Sequence, residues 1–75
     1  MDLRPSDVVT LPAGLPEHGV PEGATAVVLE VHYEPFLAYE IEVVDSRGRS
    51  LFVGAVDPVQ VQLARRCRPC ESESP

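Results

Sequence analysis

Two histidines that stand beside carboxylates are the residues of this 75-residue chain best suited to chemistry. His18 lies between Glu17 and Gly19 in the segment LPEHG, and an imidazole beside a carboxylate can accept a proton or bind a metal. A catalytic dyad also needs a nucleophile or a second base, and the neighbouring chain offers neither serine nor cysteine. We therefore predict that the ring of His18 fixes its own loop through a hydrogen bond to a backbone carbonyl.

His32 stands among four glutamates on one predicted sheet face, namely Glu30, Glu34, Glu40 and Glu42. Alternation along two neighbouring strands places His32 opposite a glutamate. These groups could bind a divalent cation, but sites for hard cations usually use a closely wrapped loop of oxygens. We expect no cofactor and a solvated acidic face, which would attract a basic partner because complementary charge speeds encounter.

Cys67 and Cys70 have the spacing of zinc knuckles and of dithiol redox sites. Zinc would need two further ligands, and only His18 and His32 remain. A redox dithiol needs a helix after its first cysteine, whereas the segment ESESP follows here. We expect reduced cysteines, with an intermolecular zinc site or disulfide as the alternative.

The composition limits the class of function. A chain of 75 residues builds one small domain, and a catalytic cleft would remove packing that so thin a core needs. Apolar residues make up 44% of the chain, as in globular proteins, so it should fold. It has neither an apolar run long enough to span a membrane nor a signal core in MDLRPSDVV. We expect a non-enzymatic protein of the cytosol.

Short β-rich segments separated by turns predict five strands. They cover residues 7–11, 25–34, 39–44, about 49–56 and 61–65, with a short helix at 57–64 as the competing interpretation of the last segment. Residues 12–23 hold three prolines and three glycines, which predicts a long loop. Such an arrangement is typical of a small SH3-like barrel over residues 1–65, followed by a disordered tail at 66–75.

Alternation also assigns the faces of these strands. The residues predicted to face the core are Val27, Leu29, Val31 and Tyr33, then Tyr39, Ile41 and Val43. Gly48 is the third residue of a three-residue loop, which fixes a hairpin register and pairs the last three with Ala55, Val53 and Leu51. The outward apolar residues are then Val28, Val44, Phe52 and Val56. Leu15 and Val20 of the long loop are expected to cover Phe52, while Phe36 and Leu37 lie at a hairpin tip.

The segments DVVTL, LPEHGV, VVLEV and YEIEVVDSRGRSL together resemble DUF4926, a family of small bacterial proteins of unknown function. The resemblance extends from residue 7 to about residue 63, and LPEHG is its most specific part; Ala26 and Leu29 depart from it. It implies an SH3-like barrel without established enzymatic activity. Some relatives stand beside toxin-like proteins, which implies an antitoxin or immunity role.

Nucleic-acid binding is the second hypothesis. The strand at 25–34 and the turn before it are similar to the KOW-type motif Gly-x-x-Gly-x-Val of ribosomal and transcription-factor barrels, although Ala26 replaces the second glycine of that motif. Arginines 47, 49, 65, 66 and 68 could contact phosphates, yet the net charge of −6 opposes that contact. Few aromatic residues are free to stack on bases, so nucleic acid is the less favoured partner.

We therefore expect a non-catalytic protein–protein interaction module of antitoxin, immunity or accessory type that binds a basic protein. A homodimer would bury an exposed apolar patch equally well. The third hypothesis is a homo-oligomeric protein that binds a small ligand or a metal. The candidate contact residues are Glu17, His18, Glu30, His32, Phe36, Glu40, Glu42 and Phe52.

Overall fold

The computed structural model describes residues 3–65 and shows an all-β fold. Its strands are β1 (Val8–Leu11), β2 (Ala24–His32), β3 (Ala38–Val44), β4 (Ser50–Val56) and β5 (Gln62–Arg65). Two short 3-10 turns, Pro16–His18 and Pro58–Gln60, lie between strands. The five expected strands are confirmed, and the competing helix at 57–64 is reduced to one turn before β5.

The strands form one antiparallel sheet in the order β4-β3-β2-β1-β5. This small sheet is barrel-like, but among the described residues no pairing joins β4 to β5, so these two strands are its edges. Neither 3-10 turn, nor any other helix within residues 3–65, is long and apolar enough to cross a bilayer. The predicted tail at 66–75, with Cys67, Cys70, Arg66 and Arg68, lies outside the described residues.

The core lies on one side of the sheet and is closed by the chain before β1 and by the long proline loop. Its buried apolar residues are Leu3, Val9, Leu11, Leu15, Val20, Ala26, Val28, Tyr39, Ile41, Val43, Val56 and Val61. Full burial of a Val, Leu or Ile side chain contributes roughly 1.5–3 kcal/mol, so this one cluster is the main source of stability. Tyr39 and Ile41 confirm the predicted core face of β3, being 1% and 0% exposed.

Residues 12–23 form a compact loop that folds back on itself. A bridge joins Leu15 to Val20, and both side chains are buried in the core cluster. Gly14 makes the return possible, because a Cβ there would lie 2.5 Å from the carbonyl oxygen of Val20. The expectation that this loop folds back onto the sheet is therefore confirmed, whereas the expected cover of Phe52 by Leu15 and Val20 stays a prediction.

The predicted face of β2 is wrong at its centre because the strand contains a β-bulge. Val28 pairs with Ile41 and Glu30 pairs with Glu40, so Leu29 is an extra residue in β2. The bulge reverses the side-chain alternation. Val28 is buried at 1% exposure, whereas Leu29 is 42% exposed.

The bulge reverses the predicted faces before Leu29 and keeps them after it, as three other residues show. Val31 packs against the core cluster as predicted. Val27 is only half-buried, on the side away from the core, and Tyr33 is 73% exposed beyond the end of β2. The predictions that these two face the core are therefore wrong.

A second bulge overturns the predicted register of β3 and β4. The turn itself is as expected, since Gly48 has a φ of 81° and its N–H donates to the carbonyl of Asp45 at 2.9 Å. Val44 then pairs with Ser50, but Val43 pairs with Phe52, which leaves Leu51 as the extra residue. A slip of one residue moves every later side chain to the other face.

The slip decides which residues of β4 face the core. Tyr39 pairs with Val56, which is 5% exposed, and Phe52 packs against the core cluster. Val53 is 53% exposed instead of facing the core. The prediction that Phe52 and Val56 point outward is therefore wrong, whereas Val44, 36% exposed, points outward as predicted.

Candidate functional site

The side of β2, β3 and β4 that faces away from the core carries most of the candidate residues. We call this side the outer face, and it comprises Thr25, Val27, Glu30, His32, Glu40, Glu42, Val44, Leu51, Val53 and Ala55. Two cross-strand rows define its centre. One row is Val27, Glu42 and Val53, and the other is Glu30, Glu40 and Ala55.

Three of the candidates form one cluster on the outer face. Nε2 of His32 lies 3.0 Å from Oε1 of Glu40, and Glu30 is the direct cross-strand neighbour of Glu40. The partner directly opposite His32 is Ala38, so the predicted opposite glutamate is wrong in register, and the ring reaches Glu40 diagonally. The Leu29 bulge is what places Glu30 and His32 on the same side as Glu40.

This cluster could hold a cation. One ligand atom from each of Glu30, His32 and Glu40 lies within 4.8 Å of the others. An imidazole with two carboxylates suits a borderline metal such as zinc better than a hard cation such as calcium. The side chains of His32 and Glu40 are 40% and 35% exposed, so water would complete the coordination.

The charge of the outer face is unbalanced. Strands β2, β3 and β4 contain three glutamates, Glu30, Glu40 and Glu42, and no lysine or arginine. Like charges directly across a strand pair destabilise a sheet, and Glu30 faces Glu40 in this way. A cationic group from outside the sheet would relieve that repulsion.

Exposed apolar side chains lie beside these carboxylates. Val53 and Leu51 on β4 are 53% and 42% exposed, and Val53 is the cross-strand neighbour of Glu42. Apolar groups rimmed by charge are typical of surfaces that bind another protein. Sequence reasoning missed both residues, because it placed them in the core.

An open cleft of about 510 Å³ lies at one end of the outer face, where the β3–β4 turn meets the end of the proline loop. Its walls include Thr25, Val44, Asp45 and Leu51. The backbone N–H of Arg49 holds the pKa of Asp45 below its ordinary value, helped by the N–H of Arg47 and the Arg49 side chain. The cleft therefore combines an apolar wall with a carboxylate that stays charged in mild acid.

Two other candidates lie on the core side of the sheet, away from the outer face. The ring centroids of His18 and Phe52 are 4.6 Å apart at an interplanar angle of 43°. The His18 ring thus packs on an aromatic ring, where a hydrogen bond to a backbone carbonyl was predicted. Glu17, next to it in the 3-10 turn, is exposed.

Phe36 lies at a third place, the tip of the β2–β3 hairpin. It is 66% exposed, and Tyr33 at the same tip is 73% exposed. The structure thus brings together Glu30, His32, Glu40 and Glu42, and separates them from the pair His18–Phe52 and from Phe36.

A family model described as a domain of unknown function, DUF4926, matches residues 6–63. That match covers more than half of the chain. The chain belongs to the DUF4926 family. Comparison with curated proteins and with solved structures finds no significant match.

Two of the segments that resemble DUF4926, LPEHG and the start of DVVTL, have clear positions in the fold. In LPEHG, Leu15 enters the core, Pro16–His18 forms the 3-10 turn, and Gly19 ends it with a φ of 72°. Asp7, just before β1, is 1% exposed, and one of its carboxylate oxygens accepts the N–H of Arg4 at 2.9 Å. These two segments contribute to the fold, whereas the carboxylates of β2 and β3 are partly or fully exposed.

Proposed function

We propose that this DUF4926 protein is a non-catalytic module that binds a basic segment of another protein on its outer face. The supporting observation is the unbalanced charge of β2, β3 and β4, which carry three glutamates and no lysine or arginine. Val53 and Leu51 add apolar contact area beside those carboxylates. Charge would steer the encounter, and the apolar groups would slow dissociation.

The biological form that we propose is an antitoxin, immunity or accessory protein of the bacterial cytoplasm. A net charge of −6 on a small chain suits neutralisation of a basic protein. His18, Phe52 and Glu17 would support the fold and the loop, because His18 packs on Phe52 away from the outer face and Glu17 precedes it in the same 3-10 turn. Phe36 would contact the partner only if the partner extends to the hairpin tip.

Affinity capture tests this proposal. The tagged protein, a Glu40→Gln/Glu42→Gln variant and a Glu17→Gln/Glu22→Gln variant are each used at low salt on extract of the source organism. Both double variants remove two carboxylates, one pair from the outer face and one from the proline loop. We expect a basic protein to be retained by the wild type and the loop variant and lost by the outer-face variant. Equal retention by all three would reject the outer face as the binding surface.

Divalent-cation binding is a second candidate, favoured by the cluster of Glu30, His32 and Glu40. Titration calorimetry with Zn²⁺ tests it, with His32→Ala removing one ligand and His18→Ala as the matched control. Micromolar binding that is lost only in His32→Ala would support a metal site. Unchanged heats in His32→Ala would reject it.

A further inference from the structure

The inference concerns how a partner is held, and it rests on the proposed function. We propose that the edge of β4, which no other strand within residues 3–65 pairs, accepts an extended segment of the partner as an added antiparallel or parallel strand. The segment would alternate basic and apolar residues. Its basic side chains would lie on the outer face, and its apolar side chains would lie on the side of Phe52.

The first observation is the composition of the edge. β4 spans Ser50–Val56, seven residues without a charge or a proline, and it is the first strand in the sheet order. Native proteins usually protect an exposed edge with charged residues, proline or a very short strand. The opposite edge follows that rule, since β5 has only four residues and ends in Arg65.

The second observation is that the unprotected edge is also apolar. β4 has no polar side chain after Ser50, and two of its apolar residues, Leu51 and Val53, are 42% and 53% exposed. Added strands gain affinity from main-chain hydrogen bonds and specificity from alternate side chains. Val53 offers such a contact on the outer face.

Charge determines which strand fits the outer face. Val53 pairs with Glu42 and Ala55 pairs with Glu40, so both carboxylates lie one strand in from the edge. An added strand would lie about two strand spacings, roughly 10 Å, from β3. A lysine or arginine beside Val53 or Ala55 would bring its cationic group to those carboxylates.

The core-facing side of β4 determines which residues of the added strand would alternate with the basic ones. The ring of Phe52 lies over Gly54, since a Cβ at Gly54 would be 2.7 Å from its Cζ atom, and His18 packs on the same ring. An added strand would therefore meet an aromatic surface on this side. Apolar side chains match that surface, and alternation with basic residues follows from the two-residue period of a strand.

Amide hydrogen exchange measured by NMR tests the inference with a nine-residue peptide that has capped ends and alternates lysine and valine. Two control peptides are used. One has the same composition but consecutive lysines, which removes the alternation, and the other alternates glutamate and valine, which reverses the charge. We expect the alternating basic peptide to slow exchange of β4 amides at least tenfold, with β5 unaffected. Val53→Lys should weaken binding roughly tenfold or more, whereas Val59→Lys, the same change at a 91% exposed residue, should not.

Three outcomes would overturn the inference. Binding that depends on Glu40 and Glu42 but leaves β4 exchange unchanged would reject strand addition and leave the proposed function standing. Absence of binding by the alternating peptide would also reject it, while the capture experiment decides the proposed function independently. A homodimer whose β4 amides are already protected, and which Val53→Lys dissociates, would assign the edge to a second copy.

Discussion

The imidazole of His18 packs against the ring of Phe52 with their centroids 4.6 Å apart. This contact joins the proline loop to β4, because His18 ends the 3-10 turn of the loop and Phe52 lies within the edge strand. The segment LPEHG therefore attaches the proline loop to the sheet, since Leu15 is buried in the core and His18 contacts the ring of Phe52.

Replacing His18 tests how much this ring contact stabilises the fold. His18→Ala should lower the free energy of unfolding by about 0.5–1.5 kcal/mol, the usual value of a ring pair. His18→Phe should retain most of that stability, since it keeps an aromatic ring in place. Urea denaturation followed by circular dichroism measures both. Equal losses in the two variants would point to a role of the imidazole nitrogens instead of the ring contact.

Gly54 provides a second test of the same region. A Cβ at this position would lie 2.7 Å from Cζ of Phe52, so Gly54→Ala should displace the ring and cost about 1–3 kcal/mol. In a Phe52→Leu background the same change should cost much less, because the ring is gone. A double-mutant cycle by urea denaturation measures this coupling. Costs that simply add would show that Gly54 does not make room for the ring.

Gly14 should be the most sensitive glycine of the loop. Its φ is 65°, and a Cβ would meet backbone atoms of Val20, Pro21 and Glu22 at 2.5–2.8 Å. Gly19 and Gly23 also have positive φ values, but nothing lies within 4 Å of a Cβ there. Gly19→Ala and Gly23→Ala should each cost about 1–2 kcal/mol from backbone strain, and Gly14→Ala should cost clearly more. Equal thermal midpoints for the three variants would contradict this order.

Asp45 should make stability depend on pH in the acid range. Its pKa is lowered in the fold, first by the backbone N–H of Arg49, so the unfolded chain takes up a proton at higher pH than the folded chain. The stabilisation is present above the unfolded pKa and is lost as the pH falls through the lower, folded pKa. Asp45→Asn keeps an oxygen acceptor for the turn amides but removes the charge. We expect its deficit in the urea midpoint to disappear in strong acid, and a deficit that stays the same at every pH would contradict this role of the charge.

Charge reversal on the outer face tests steering of the captured partner. Glu40→Lys with Glu42→Lys should slow association roughly tenfold or more and weaken its dependence on salt. Glu17→Lys with Glu22→Lys changes the net charge equally but lies in the proline loop. Stopped-flow mixing at several ionic strengths measures both variants. Equal slowing would mean that overall charge matters and that the outer face has no special part.

The sequence predicted the strands and the fold class because alternation, proline and glycine leave clear local signals. Tyr39, Ile41 and Val43 faced the core as expected, and Gly48 formed the expected turn. These features depend on residues close together in the chain. The sequence also singled out LPEHG, but the contact of His18 with Phe52 joins residues far apart in the chain, which no local pattern could indicate.

The two bulges account for what the sequence failed to predict. Leu29 and Leu51 are apolar, as strand residues usually are, and nothing in their type marks them as extra. Each bulge reverses the alternation that follows or precedes it, so Val28 and Phe52 were assigned to the wrong side. The acidic cluster was still predicted, because Glu30 and His32 both follow Leu29 in the chain, where the predicted faces of β2 are correct.

The uncharged edge of β4 also bears on how the protein behaves at high concentration. Exposed apolar edges tend to pair with one another, and a net charge of −6 opposes such pairing between copies of this chain. A pH near the isoelectric point of about 4.6, or concentrated salt, would weaken that repulsion without changing the residues of the edge. Turbidity and fibril growth should therefore begin under those conditions. Val53→Lys should delay both, because a charged residue on an edge strand opposes pairing between edges.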